Sequence, residues 1–121
     1  MRYILFFIAA LLALPAYAQQ QNTPYVLKTT PSRCPLSNCT VTSGGTGQTV
    51  LNANAGRKMF CVGNLDTTEV LTFDMGQAAT SGSLPVPPLT TTCMGGAAIW
   101  QGTVSVEAAT TNHKFVVEEF Q

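Results

Sequence analysis

The stretch Val50-Leu-Asn-Ala-Asn-Ala-Gly-Arg-Lys-Met-Phe-Cys-Val-Gly-Asn64 decides the fold class. It reads as two short strands joined by a polar bend, Gln48 to Ala53 and Lys58 to Asn64. In a strand, successive side chains flip faces. Phe60 and Val62 therefore point one way, and Met59, Cys61 and Gly63 the other. Asn54 and Gly56 tolerate positive φ, so the bend Asn54–Arg57 can reverse or offset the chain. Arg57 beside that bend can donate to loop carbonyls, and Asn64 can open an Asx-turn into Leu65-Asp66. Both roles are structural, and the pair is expected at the centre of the domain.

Working outward, the flanks repeat the signature. Glu69 to Asp74 alternates, with Leu71 and Phe73 on one face. Thr103 to Ala108 and Lys114 to Glu119 alternate likewise, and Tyr25 to Lys28 and Thr40 to Thr42 are shorter candidates. Leu84-Pro-Val-Pro-Pro-Leu89 carries three prolines that lack ladder donors, so it is an extended edge or a crossing between layers. Gly76 to Ser83 and Thr90 to Ala97 read as loops, Ala98 to Gln101 as a strand, and Thr110 to His113 as a hairpin connection between the last two strands. No segment after the leader keeps a 3.6-residue apolar period. Short β segments spaced by Gly, Pro and Thr clusters predict an all-β, single antiparallel β-sandwich, Ig-like or jelly-roll-like. Its expected inward set is Phe60, Val62, Leu71, Phe73, Val104, Val106, Phe115 and Val117.

Residues 1–18 have the anatomy of a cleaved signal peptide. Arg2 is the positive start, Ile4 to Leu14 is a short apolar run, and Ala16-Tyr17-Ala18 is a small-x-small cleavage site. A bilayer span takes roughly 20 apolar residues, more than this run supplies. The reading is a signal peptide at 1–18, a disordered tail at 19–24 and one domain at 25–121, periplasmic or secreted, with no membrane association after cleavage. Without Arg2, five basic residues (Lys28, Arg33, Arg57, Lys58, Lys114) face six acidic ones. No basic stripe is present, which gives nucleic-acid binding no support.

Cys34, Cys39, Cys61 and Cys93 all follow the leader, and an even count in a small exported domain reads as two disulfides. A zinc site would bring close Cys pairs, and only Cys34-x4-Cys39 qualifies. Cys34–Cys39 with Cys61–Cys93 is the favoured pairing; the crossed pairings stay open at this point. Loop entropy assigns roughly 2 kcal/mol to the short bridge and nearer ~4 to the long one.

Chemistry-bearing constellations are weak. Gly44-Gly-Thr-Gly-Gln-Thr49 lacks the lysine of a phosphate loop and reads as a plain turn. His113 is the sole histidine and, in a hairpin loop, is expected to be solvated. A triad would have to join it to Asp66 or Asp74 without a nucleophile elbow. Glu118 and Glu119 are adjacent on a strand and face opposite ways. No catalytic, metal or cofactor residue is therefore assigned, and any small-molecule ligand is unknown. Trp100 alternates with Ile99, so one of them faces out. Burial with a bonded N–H is the plainer reading of Trp100, but an exposed Trp beside Gly95-Gly96 would be a partner contact.

Ala53-Asn54, Arg57-Lys58, Phe60 to Asn64, Phe73 to Thr80, Gly102 to Ala108 and Phe115 to Glu119 follow one another in an order that carries a likeness. In it the chain resembles small β-sandwich structural proteins of tailed phages and prophages, of the decoration or fibre-associated kind. The resemblance covers about two-thirds of the chain after the leader; the leader and the four cysteines depart from it. It implies a β-sandwich without catalysis. The expected function is a non-catalytic exported structural or binding module, virion- or cell-surface-associated, with a protein partner or self-association. The alternative is a small periplasmic or secreted hydrolase inhibitor presenting the Thr90–Gly96 loop.

Overall fold

The computed structural model describes residues 32–36 and 38–121. The expected leader, tail and Tyr25–Lys28 strand lie outside the described residues. Eight strands form among those described: β1 (Ser32–Arg33), β2 (Gln48–Leu51), β3 (Met59–Asn64), β4 (Leu71–Met75), β5 (Leu84–Val86), β6 (Thr91–Gly95), β7 (Val104–Glu107) and β8 (Phe115–Phe120). They build two four-stranded antiparallel sheets, β1-β8-β3-β6 and β2-β7-β4-β5.

That order is one long hairpin rolled up. β1 pairs with β8, β2 with β7, β3 with β6 and β4 with β5, and the roll closes where β8 meets β3 and β7 meets β4. The fold is thus a jelly roll, one of the two sandwich types left open by the sequence. Every member of the expected inward set is buried between the sheets, joined by Val41, Val50, Leu51 and Val86. Phe60 of β3 meets Phe73 of β4 edge to face, their ring centroids 6.3 Å apart, which locks one sheet over the other.

The deciding stretch keeps its strands and its bend, where Asn54 Oδ1 accepts the Gly56 N–H at 2.9 Å. The two strands are not a pair, however: β2 and β3 belong to opposite sheets, and the bend carries the chain across. The same holds for the connection at Thr110–His113, which is no hairpin because β7 and β8 lie in different sheets. Thr40 makes only an isolated bridge to Lys114.

Two further expectations are corrected. Thr91–Gly95, expected as loop, is strand β6, aligned with β3 from Met59↔Gly95 to Gly63↔Thr91. Ala98–Gln101, expected as strand, forms none. Gly96 at φ 112° ends β6, and the Ile99 N–H turns back onto Gly96 O.

Both disulfides are the favoured ones, Cys34–Cys39 and Cys61–Cys93, and no described cysteine is free. They are compatible with an oxidising compartment. No helix among the described residues is long and apolar enough to cross a membrane.

Candidate functional site

From Met75 to Val106 the chain contains no Asp, Glu, Lys, Arg or His. The fold gathers much of this run on one side of the roll, since it supplies β5, β6 and the loops flanking them. Leu84, Leu89 and Trp100, three of the exposed large hydrophobic residues, belong to it. Depletion of charge together with exposed aromatic and aliphatic side chains is the compositional mark of an interface core.

Trp100 is 41% exposed, which settles its two open readings in favour of exposure. Its indole is nevertheless held. A Cβ built on Gly76 would lie 2.8 Å from Trp100 Cζ2, and one on Gly102 only 2.5 Å from it, so the ring rests on two bare glycines. The indole Nε1–H donates to Thr103 O at 2.9 Å. Beside it opens a hollow of about 320 Å³, walled by Met75, Met94, Gly95, Ala98, Ile99 and Trp100. A ring with its polar atom satisfied and its rotamer fixed loses little entropy on binding.

Arg57 fixes the backbone under that ring. It is fully buried, and its Nη1 donates to Trp100 O (3.0 Å) and Gly102 O (2.7 Å). Nη2 reaches Asn52 O at 2.7 Å, and Nε pairs with Glu119 Oε1 at 2.7 Å. The expected turn-holding role of Arg57 is thus present and larger than expected, because the residue also anchors the Trp100 loop. Glu118 points outward to Arg33, so the two glutamates do face opposite ways.

Leu89 is the most exposed of the described large hydrophobics at 68%, and it sits at φ 56°. A left-handed conformation costs a non-glycine residue about 1–2 kcal/mol, and strain of this kind gathers at functional positions. Its N–H is held by Asp66 O at 3.1 Å.

His113 is not solvated; it is 2% exposed. Because its connection crosses between sheets, the ring is drawn into the end of the sandwich, where Nε2 lies 2.9 Å from Asn64 Oδ1. The Asn64 amide donates to Glu69 O and Val86 O, so Oδ1 is the accepting end and Nε2 carries the proton. Oδ1 also takes the Asp66 N–H, the expected Asx-turn. Nδ1 has no hydrogen-bond partner among the described residues and lies 3.6 Å from Glu69 Oε2. The cluster ties three loops together, and among the described residues no hydroxyl or thiol nucleophile is bonded to the imidazole. Among the described residues no group of three or more His, Cys, Asp or Glu side chains is placed to hold a metal.

The same loop governs the response to acid. The backbone N–H groups of Glu69 and Thr68 hold the Asp66 carboxyl at about 2, against an ordinary value of 3.8. The Thr110 hydroxyl, then its N–H, lowers Glu69. A carboxyl depressed in the folded state stabilises above its unfolded pKa, and that stabilisation is lost as pH falls through the folded pKa. Thermal stability is expected to fall between pH 3.8 and about 2, with a shallower fall in Asp66→Asn. Melting curves across that window check this, and an unchanged slope in the variant refutes it.

No protein-family model, curated protein or solved structure matches the chain. The site therefore rests on its own geometry. Sequence reasoning singled out Trp100 and missed Leu84, Leu89 and the two glycine seats. The uncharged run was the available signal for the first two.

Proposed function

We propose that the protein is a non-catalytic exported module, structural or binding, that works by docking proteins on its uncharged β5–β6 side. The observation that carries this is Trp100, half exposed yet fixed on Gly76 and Gly102, in a run without charge. The resemblance to decoration and fibre-associated phage proteins points to the same kind of work, repeated contact within a virion or cell-surface assembly. Export through the leader, with cleavage after Ala18, belongs to this reading.

The inhibitor alternative placed its contact loop at Thr90–Gly96. Most of that segment is paired strand, and Cys93 is bridged to Cys61. No observation favours it over the module.

The test is sedimentation of the protein from cells that produce it. The wild type is expected in an assembly far heavier than one chain, and Trp100→Ala in the light fraction with an unchanged circular dichroism spectrum. Trp100→Ala that stays in the heavy assembly refutes the site. A wild type found only as a light species that blocks a hydrolase refutes the module.

A further inference from the structure

A rolled-up pair of sheets has four edges, and three of them here are blunted. β1 is two residues long among those described and carries the Arg33–Glu118 pair. β2 has a register shift between Thr49 and Leu51. β5 is three residues long, includes Pro85 and runs into Pro87 and Pro88. Shortness, charge, irregularity and proline are the devices by which natural edges avoid pairing with another chain. β6 has none of them: it is five residues long, with an unbroken register to β3 and no proline or charge.

The free groups on that edge are identifiable. The Asn64 N–H of the β3 end bonds Thr90 O, so that carbonyl and the backbone groups of Thr92 and Met94 turn toward β3. Those of Thr91, Cys93 and Gly95 turn outward. The 4.0 Å Cα separation of Cys61 and Cys93 agrees, being that of a pair that does not exchange backbone hydrogen bonds.

We propose that the β6 edge pairs antiparallel with the β6 edge of a second copy of this chain about a two-fold axis at Cys93, joining two sheets into one. This deepens the module reading and rests on it. The occupant follows from self-complementarity. With Cys93 opposite Cys93, Thr91 faces Gly95 of the second copy, small against β-branched, and no like charges meet because neither edge has any. The hollow walled by Met94, Gly95, Ala98, Ile99 and Trp100 borders the same edge on each copy.

Light scattering after size-exclusion chromatography of the purified protein tests this, with amide exchange read residue by residue. The expected mass is twice that of one chain, with slow exchange at Thr91, Cys93 and Gly95. Thr91→Pro removes an outward N–H that β3 does not use, so the fold tolerates it and the mass halves. Thr91→Lys, at an exposed position, places on the edge the charge by which natural edges avoid pairing and should weaken the dimer at least tenfold with the fold intact, which keeps the test open if the proline variant does not fold. A monomeric wild type, fast exchange at those three amides, or a dimer unaffected by either variant overturns the proposal. A monomer that still enters a heavy assembly through Trp100 sinks only the β6 pairing. A β6-paired dimer with enzymatic activity sinks only the module reading.

Discussion

Replacing Arg57 with alanine is expected to lower the free energy of unfolding by about 3–5 kcal/mol, the usual consequence of breaking a buried ion pair from one side. The guanidinium is fully buried and serves four acceptors: Glu119 Oε1 and the carbonyls of Asn52, Trp100 and Gly102. Its carbon also lies 5.6 Å from the Phe60 ring centroid, where a cation is attracted to the ring face. Alanine leaves three carbonyls without donors and strands the Glu119 carboxylate, which is only 10% exposed. Lysine keeps the charge but brings one nitrogen in place of a planar fork, so about 2–3 kcal/mol should still be lost. Glu119→Ala added to Arg57→Ala should cost less than the sum of the two, since the stranded charge has gone. Denaturant unfolding measures all of these. A loss below about 1 kcal/mol for Arg57→Ala would refute the hub role. Trp100 is the sole tryptophan, so its emission reports whether the loop loosens in the variant while the sandwich stays folded.

The second large effect concerns the Cys61–Cys93 bridge. It closes a sequence separation of 32 residues, for which loop entropy predicts a stabilisation of roughly 4 kcal/mol. The Cys34–Cys39 bridge spans 5 residues and should contribute roughly 2 kcal/mol. Paired Cys→Ala substitutions, unfolded without reductant, compare the two directly. The long bridge has a local consequence as well. Among the described residues β6 lies at a sheet edge and pairs only with β3, and Cys93 is the centre of that register. Cys61→Ala/Cys93→Ala should therefore speed amide exchange at Thr92 and Met94, whose N–H groups bond β3, before the rest of the sandwich opens. Equal costs for the two bridges, with unaltered exchange in β6, would contradict this account.

Much of the fold was legible because its causes are local. Alternation in Phe60–Val62, Leu71–Phe73, Val104–Val106 and Phe115–Val117 is a period-two pattern, and each of these residues is buried. The prolines of Leu84–Leu89 confine that segment to an edge by removing donors, and β5 is an edge. Cysteine count and spacing led to the two bridges, and the Asn54 and Asn64 turns followed from side-chain chemistry within two residues of each.

What only the tertiary structure decided depends on partners distant in the chain. β6 reads Thr-Thr-Cys-Met-Gly, without apolar alternation, and is a strand because β3 and the Cys61 bridge hold it in register. His113 is buried because β7 and β8 fall in different sheets, a consequence of roll closure that no neighbouring residue encodes. Trp100 faces out because Gly76, far back in the chain, and Gly102 leave room for its ring, while Arg57 clamps its carbonyl. The uncharged run from Met75 to Val106 can be read in the sequence, but its meaning cannot. It becomes a surface only when the two sheets close and place β5 and β6 at the same side, because a strand's edge exists only relative to the strands that the rest of the sheet leaves unpaired.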